Sequence, residues 1–271
     1  MKGENKIKSF MEVAEELASK ISSFENVTGI VFIGGLVRGF ADKFSDLDIT
    51  VFLDRRNDDV KKQVYALSSA VEKRYGIDVD MEVHCVEDFK KWKWDEIDRW
   101  EFSKAKIVFD PQKQIQKMFD EKLKLPEDFW IRRIAVCSEY LRWYCCPINE
   151  KDGTVAESWI ERGDFVSAHY CLTYATELLL KVLFALNKEF LPAPKWRIHY
   201  SYSLKWLPES YRELMKEAMI TEDLSIMEFD RRLKAVRDLW RETAPKIEKE
   251  TGLTPEKISK YYVAKILHIN L

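Results

Sequence analysis

The sequence contains no apolar run long enough to cross a membrane as a helix. About 18 consecutive apolar residues are needed for that, and the richest stretch, residues 178–186, is interrupted by Lys181. The first twenty residues lack the apolar segment of a signal peptide, so a cytoplasmic protein with no membrane partner is expected. Cysteine is sparse and odd in number: Cys85, Cys137, Cys145, Cys146 and Cys171. This argues against a disulfide framework. The adjacent pair Cys145-Cys146 also lacks the C-x-x-C spacing of a structural zinc site. The expected use is as small residues in a helical core. Neither charge sign is in excess, with 44 Lys and Arg against 46 Asp and Glu. A protein that coats nucleic acid by bulk electrostatics is thereby excluded, although a local basic groove is not. There is no internal repeat and no low-complexity segment. Two phosphate-binding signatures are also missing, GxxxxGK[ST] and GxGxxG, so neither a P-loop nor a Rossmann site is expected.

What is present suits a globular protein. Hydrophobic residues make up 46% of the 271, enough for one large core or two modest ones. Residues 6–21 carry apolar side chains at helical spacing. Residues 27–33 are a β-branched run that ends at Gly34-Gly35. Residues 47–53 form a second apolar run, with Asp46 and Asp48 at its start. Residues 57–75 read as a helix opened by Asn57, Asp58 and Asp59 and closed near Gly76. Residues 77–86 alternate as a half-buried strand does, and residues 106–109 are a short fourth strand before Asp110-Pro111. Strands separated by helices indicate an α/β or α+β domain.

Beyond about residue 125 the strand signals disappear. Helices are expected over residues 130–146, over 165–186 with a start nearer Val155 left open, from about 209, over 228–250, and again from Thr254. Thr254-Pro255-Glu256 supplies an N-cap and a first-turn proline for the last of these. The expected organisation is α+β: a small mixed-sheet domain over residues 1–125, then an α-helical bundle domain over 126–271.

The chemistry concentrates in residues 34–48. A strand ends at Gly34-Gly35, a short helical turn holds Arg38 and Gly39, and a loop leads to Ser45-Asp46-Leu47-Asp48. Glycine has no Cβ, so backbone there can approach a triphosphate closely. Amides at a helix N-terminus stabilise phosphate oxygens, and Arg38 can contact phosphate bidentately. Asp46 and Asp48 lie two apart on a strand and share a face, as a pair of hard divalent cations requires. Asp78, Asp80, Glu82 and His84 share one face of a later strand, while Val79, Met81 and Val83 face the core. His84 reads as a strand-end polar residue.

Gly34-Gly35 followed by Asp46-Leu47-Asp48 resembles the G-[GS]-x(about 10)-D-x-[DE] signature of polymerase-β-like nucleotidyltransferases. Arg38-Gly39 and Ser45 look like the branch of aminoglycoside, lincosamide and minimal nucleotidyltransferases. That branch often has Gly-Ser where this chain has Gly34-Gly35. The resemblance is specific over residues 27–54 and looser to about 120. It implies ATP or another NTP as donor, bound by Gly34, Gly35, Arg38 and Ser45, with two Mg²⁺ ions on Asp46 and Asp48. It also implies a third carboxylate that ligates metal or deprotonates the acceptor, with Asp80 first and Glu82 second.

Residues 163–196 resemble the helical C-terminal domain found behind several small-molecule nucleotidyltransferases. By that resemblance Lys195, Trp196 and Glu177 face nucleotide or acceptor, or else Trp196 packs between helices and Lys195 is solvated. The implied activity is metal-dependent transfer of a nucleoside monophosphate, AMP first, to a hydroxyl of a small-molecule or macromolecular acceptor. The alternative is a non-catalytic or antitoxin-like nucleotide-binding module that acts by protein interaction or protein AMPylation. A homodimer is left open, and there is no strong nucleic-acid signature. Two further signals compete for attention. Trp92, Trp94 and Trp100 lie among lysines, where they can stack bases or, as favoured here, anchor an amphipathic helix to the sheet. Arg162 and His169 have the Arg-x(4–6)-His spacing of HEPN ribonucleases, against a His169 simply buried in its helix.

Overall fold

The computed structural model describes residues 4–149, 151–258 and 260. It divides into two compact units, one running to Lys124 and the other starting at Leu125. The first contains α1 (Ile7–Ile21), β1 (Val27–Phe32), α2 (Gly34–Arg38), β2 (Leu47–Leu53) and α3 (Asp58–Tyr75). It continues through β3 (Val79–Cys85), α4 (Val86–Lys91), α5 (Glu96–Phe102), β4 (Lys106–Phe109) and α6 (Gln114–Lys122). The sheet order is β3-β2-β1-β4, with β1 antiparallel to β2 and β4, and β2 parallel to β3. A parallel pair needs a crossover, and α3 provides it. Asn57 caps α3 by accepting from the Val60 amide, and Gly76 ends it in a left-handed turn.

Both faces of the sheet are covered. Ile30, Phe32, Ile49, Val51, Met81 and Val83 pack with α1 and α3. Val31 and Phe52 point the other way into a cluster from α4, α5 and α6 that includes Phe89, Phe102, Ile115 and Phe119. Period-two alternation therefore sends neighbouring residues into different cores. Trp94 is buried within this cluster and Trp100 is buried as well, whereas Trp92 is exposed. Trp94 stacks on Phe102 with ring centres 4.7 Å apart. These two aromatics anchor helices to the sheet, the use favoured by the sequence.

The second unit is helical: α7 (Phe129–Tyr144), α8 (Val155–Glu161), α9 (Phe165–Leu186), a 3₁₀ turn (Pro194–Trp196), α10 (Arg197–Ser201), α11 (Tyr211–Met219) and α12 (Ile226–Thr251). Helix α9 does not reach back to Val155. Gly163 takes φ +76°, and Asp164 caps α9 afresh by accepting from the Ser167 amide. Helix α9 is buried along most of its length and forms the axis of this core. Four of the cysteines lie buried in the unit and Cys85 is partly buried; all five are free thiols. The helix expected from Thr254 opens at residues 255–258, and most of it lies outside the described residues. Among the described residues no helix is long and apolar enough to cross a membrane.

A candidate nucleotidyl-transfer site

Sheet register assembles the acids. In the parallel β2–β3 pair Asp48 lies beside Asp80, Thr50 beside Glu82, and Phe52 beside His84. All six therefore project from one face. Oxygens of Asp46, Asp48 and Asp80 come within 4.8 Å of one another. Asp46 and Asp80 are exposed and Asp48 is partly buried. Burial, followed by the charges of Asp46, Glu101 and Asp80, pushes the Asp48 carboxyl up to about 7. The Gly35 amide opposes this by donating to the Asp48 carboxylate.

The glycine pair acquires a local explanation. Gly34 has φ +59°, in the left-handed region that favours glycine. A Cβ at this position would lie 1.9 Å from Asp48 Oδ2. Gly34 thus leaves room for the carboxylate, and Gly35 supplies its hydrogen bond. The sequence reading assigned both glycines to phosphate approach alone.

The remaining candidates are distributed differently. Arg38 stacks on Trp100, its guanidinium carbon 3.6 Å from the ring centre, and Nη2 donates to the Trp100 carbonyl at 2.9 Å. Ser45 Oγ accepts from the Asp42 amide at 2.9 Å and donates to Asp42 Oδ1 at 3.2 Å, so its hydroxyl closes the loop before β2. Glu82 stands outside the three-carboxylate group and pairs with His84 Nε2 at 2.9 Å. That contact, more than any other, holds its carboxyl below the usual range. Lys195 belongs to the helical unit, exposed, with Nζ 5.7 Å from the Trp196 ring centre. Trp196 is itself 38% exposed. Glu177 is ion-paired with Arg197 and so fixes the turn that carries Lys195.

Glu101 is the residue the sequence reading missed. Burial raises its carboxyl first, then the charge of Glu82, while Arg38 draws it back. It sits at the end of α5, next to Trp100 and far in sequence from both acidic strands. The only available signal was the Asp95-x-x-Asp98 capping box that starts this helix.

The ribonuclease-like spacing does not form a site. His169 is buried, and its Nδ1 lies 2.8 Å from Arg232 Nη1. Arginine can only donate, so Nδ1 accepts and the proton sits on Nε2, facing the Ser225 carbonyl at 3.4 Å. Arg162 stacks instead on Trp159. Arg232 also donates to the Ala218 carbonyl and Thr173 Oγ1 and is 3% exposed. Replacing Arg232 with Ala should cost about 2–4 kcal/mol, because two buried acceptors, the Ala218 carbonyl and His169 Nδ1, lose their donor. Urea denaturation of the two proteins measures this.

A mixed sheet flanked by helices, with a glycine turn leading to Asp-x-Asp and a third Asp on the neighbouring strand, defines the polymerase-β-like nucleotidyltransferase class. A nucleotidyltransferase domain model matches residues 11–146, half of the chain. The chain belongs to this family and is an enzyme of nucleotidyl transfer. A domain of unknown function (DUF4037) matches residues 97–197. No curated protein matches the sequence.

Among solved structures, a nucleotidyltransferase-like protein from Exiguobacterium sibiricum aligns at 11% identity and TM-score 0.39, over 88% of this chain and 77% of that one. A mutant of the toxin–antitoxin MntA-HpeT aligns at 15% identity and TM-score 0.32, over 46% of this chain and 95% of that one. A complex of tri-AMPylated Shewanella oneidensis HEPN toxin with MNT antitoxin aligns at 13% identity and TM-score 0.30, over 48% and 97%. These likenesses are shallow, and the family assignment rests on the nucleotidyltransferase domain match.

Proposed function

We propose that the protein transfers AMP from ATP to a hydroxyl of a small-molecule or macromolecular acceptor, with Mg²⁺ required. The observation that carries this reading is the meeting of Asp46, Asp48 and Asp80 oxygens within 4.8 Å. An all-carboxylate donor set of this kind fits hard divalent cations, and the three Asp residues would hold them. Bound there, such cations supply charge neutralisation and alignment at the transferring phosphoryl group.

The chain's own groups do the rest. The Gly35 amide fixes Asp48 in its partly buried place. Arg38, oriented by Trp100, offers charge to the triphosphate; Gly34, Gly35 and Ser45 shape the turn over which it lies. A carboxylate oxygen of Asp80 takes the proton of the attacking hydroxyl, with Glu82 as the neighbouring alternative. Residues 1–125 carry this donor chemistry. Residues 126–271 select the acceptor, with Lys195 proposed as a nucleotide contact.

The test is label transfer from ATP labelled at the α-phosphorus. Acceptors are aminoglycosides, lincosamides, tRNA and protein hydroxyls, with Mg²⁺ or chelator present. Label should appear on one acceptor, with pyrophosphate released and chelator abolishing both. Transfer of the γ-phosphorus, or transfer indifferent to chelator, would sink the reading. Mg²⁺-dependent ATP binding with no transfer to any acceptor would favour the binding-module alternative.

A further inference from the structure

The helical unit contains a cavity of about 740 Å³ whose lining includes none of the acidic-site residues. Arg142, Arg237 and Arg241 line it, together with Trp240, Glu248 and Glu256. The volume lies within the range of small-molecule sites.

Two of the three arginines are held by the surrounding fold. Arg237 donates from Nε to the Cys145 carbonyl at 2.8 Å and from Nη2 to Glu157 at 2.9 Å. Arg142 is only 11% exposed and pairs with Glu139 at 3.3 Å. Among the described residues its Nε is sealed from solvent without a hydrogen-bond partner. Arg241 pairs with Asp238 at 2.6 Å. Guanidinium groups suit phosphate oxygens, and the prior ordering of Arg142 and Arg237 lowers the entropy lost on binding.

The other charges narrow the ligand. Glu248 and Glu256 repel a bare polyanion but accept hydrogen bonds from hydroxyl or amino groups. Trp240, 9% exposed, contributes a flat apolar wall. A ligand that satisfies both ends has one phosphate and several hydrogen-bond donors. We propose that this cavity binds a phosphomonoester of the sugar or nucleoside type, independently of the nucleotidyl-transfer site.

The test is calorimetry on the full chain in chelator, with ribose 5-phosphate, glucose 6-phosphate, AMP and inorganic phosphate as probes. Ribose, glucose and adenosine serve as dephosphorylated controls. At least one monoester should bind and its parent should not, and the identity of that monoester separates the sugar source from the nucleoside source. Arg142→Gln and Arg241→Gln should each weaken binding by about tenfold or more, whereas Asp48→Asn should leave it unchanged. Arg241 is 59% exposed, so its variant decides the matter if Arg142→Gln fails to fold by circular dichroism. The assignment is overturned if no monoester binds or if inorganic phosphate alone binds. It is equally overturned if affinity survives the arginine changes, or is lost with Asp48→Asn.

Discussion

Asp48→Asn should raise the melting temperature of the metal-free protein at pH 8 and, in the same molecule, abolish nucleotidyl transfer. The folded Asp48 carboxyl titrates near 7, against an ordinary value of 3.8. Between those values the folded chain retains a proton that the unfolded chain has released. Stability therefore falls as pH rises through this window, and by pH 8 the full penalty is present. The displacement corresponds to at most about 4 kcal/mol. Asparagine carries no charge yet still offers an oxygen to the Gly35 amide, so the variant escapes the penalty without losing the contact. Each kcal/mol recovered should raise the melting temperature by about 2–4 °C. Added Mg²⁺ should stabilise the parent protein and leave the variant indifferent. Turnover should fall by about a thousandfold or more, the scale of losing several kcal/mol of charge stabilisation. Thermal melts at pH 5 and pH 8, with and without Mg²⁺, test the stability half. An Asp48→Asn protein that melts lower than its parent at pH 8, or that still transfers label, contradicts this account of the site.

Gly34→Ala should be the most damaging single-methyl change in the first unit. The new Cβ would lie 1.9 Å from Asp48 Oδ2, on a backbone at φ +59°. Asp48 must swing away and lose the Gly35 amide, and the left-handed backbone adds its own strain. The expected loss is about 1–3 kcal/mol of stability and about a hundredfold in kcat/KM. Gly35→Ala should be costly for a different reason, since its Cβ would lie 2.9 Å from the Phe40 carbonyl, a backbone atom that cannot swing aside. A double-mutant cycle isolates the cause. In an Asp48→Ala background the carboxylate is gone and only the residue-48 Cβ remains near, at 3.1 Å, so Gly34→Ala should then cost little beyond its backbone strain. Equal costs in the two backgrounds would show that the carboxylate is not what requires glycine.

The parts of the site that were legible in the sequence are those governed by short periods. Asp46 and Asp48 were expected to share a face by their spacing of two, and they do converge, although β2 begins at Leu47 and Asp46 lies in the loop before it. Alternation put Asp78, Asp80, Glu82 and His84 on one face, the family resemblance ranked Asp80 ahead of Glu82 among them, and the register lays Asp80 beside Asp48. Helices α1, α3 and α12 announced themselves through apolar spacing and capping residues. Contacts between distant segments were illegible. Glu101 is separated from Asp48 by two helices and a strand, and its local mark is no more than the capping box that opens its helix. Arg38 was read as free to meet phosphate because its seat on Trp100 lies 62 residues away. His169 looked like part of a spaced pair with Arg162 because its true neighbour, Arg232, is 63 residues distant. Gly34 was recognised as necessary, but the partner that makes it so belongs to another strand.

Strand β3 has a sheet neighbour on one side only, β2, and it enters the sheet after the 18-residue crossover α3. Asp80 rides on that outer strand while Asp46 and Asp48 belong to its neighbour and the loop before it. A cation shared by the three acids would act as a rivet across this edge seam of the sheet. Amide hydrogen exchange along Val79–Cys85 should then slow when Mg²⁺ is added, while β1, enclosed between two partners, should hardly respond.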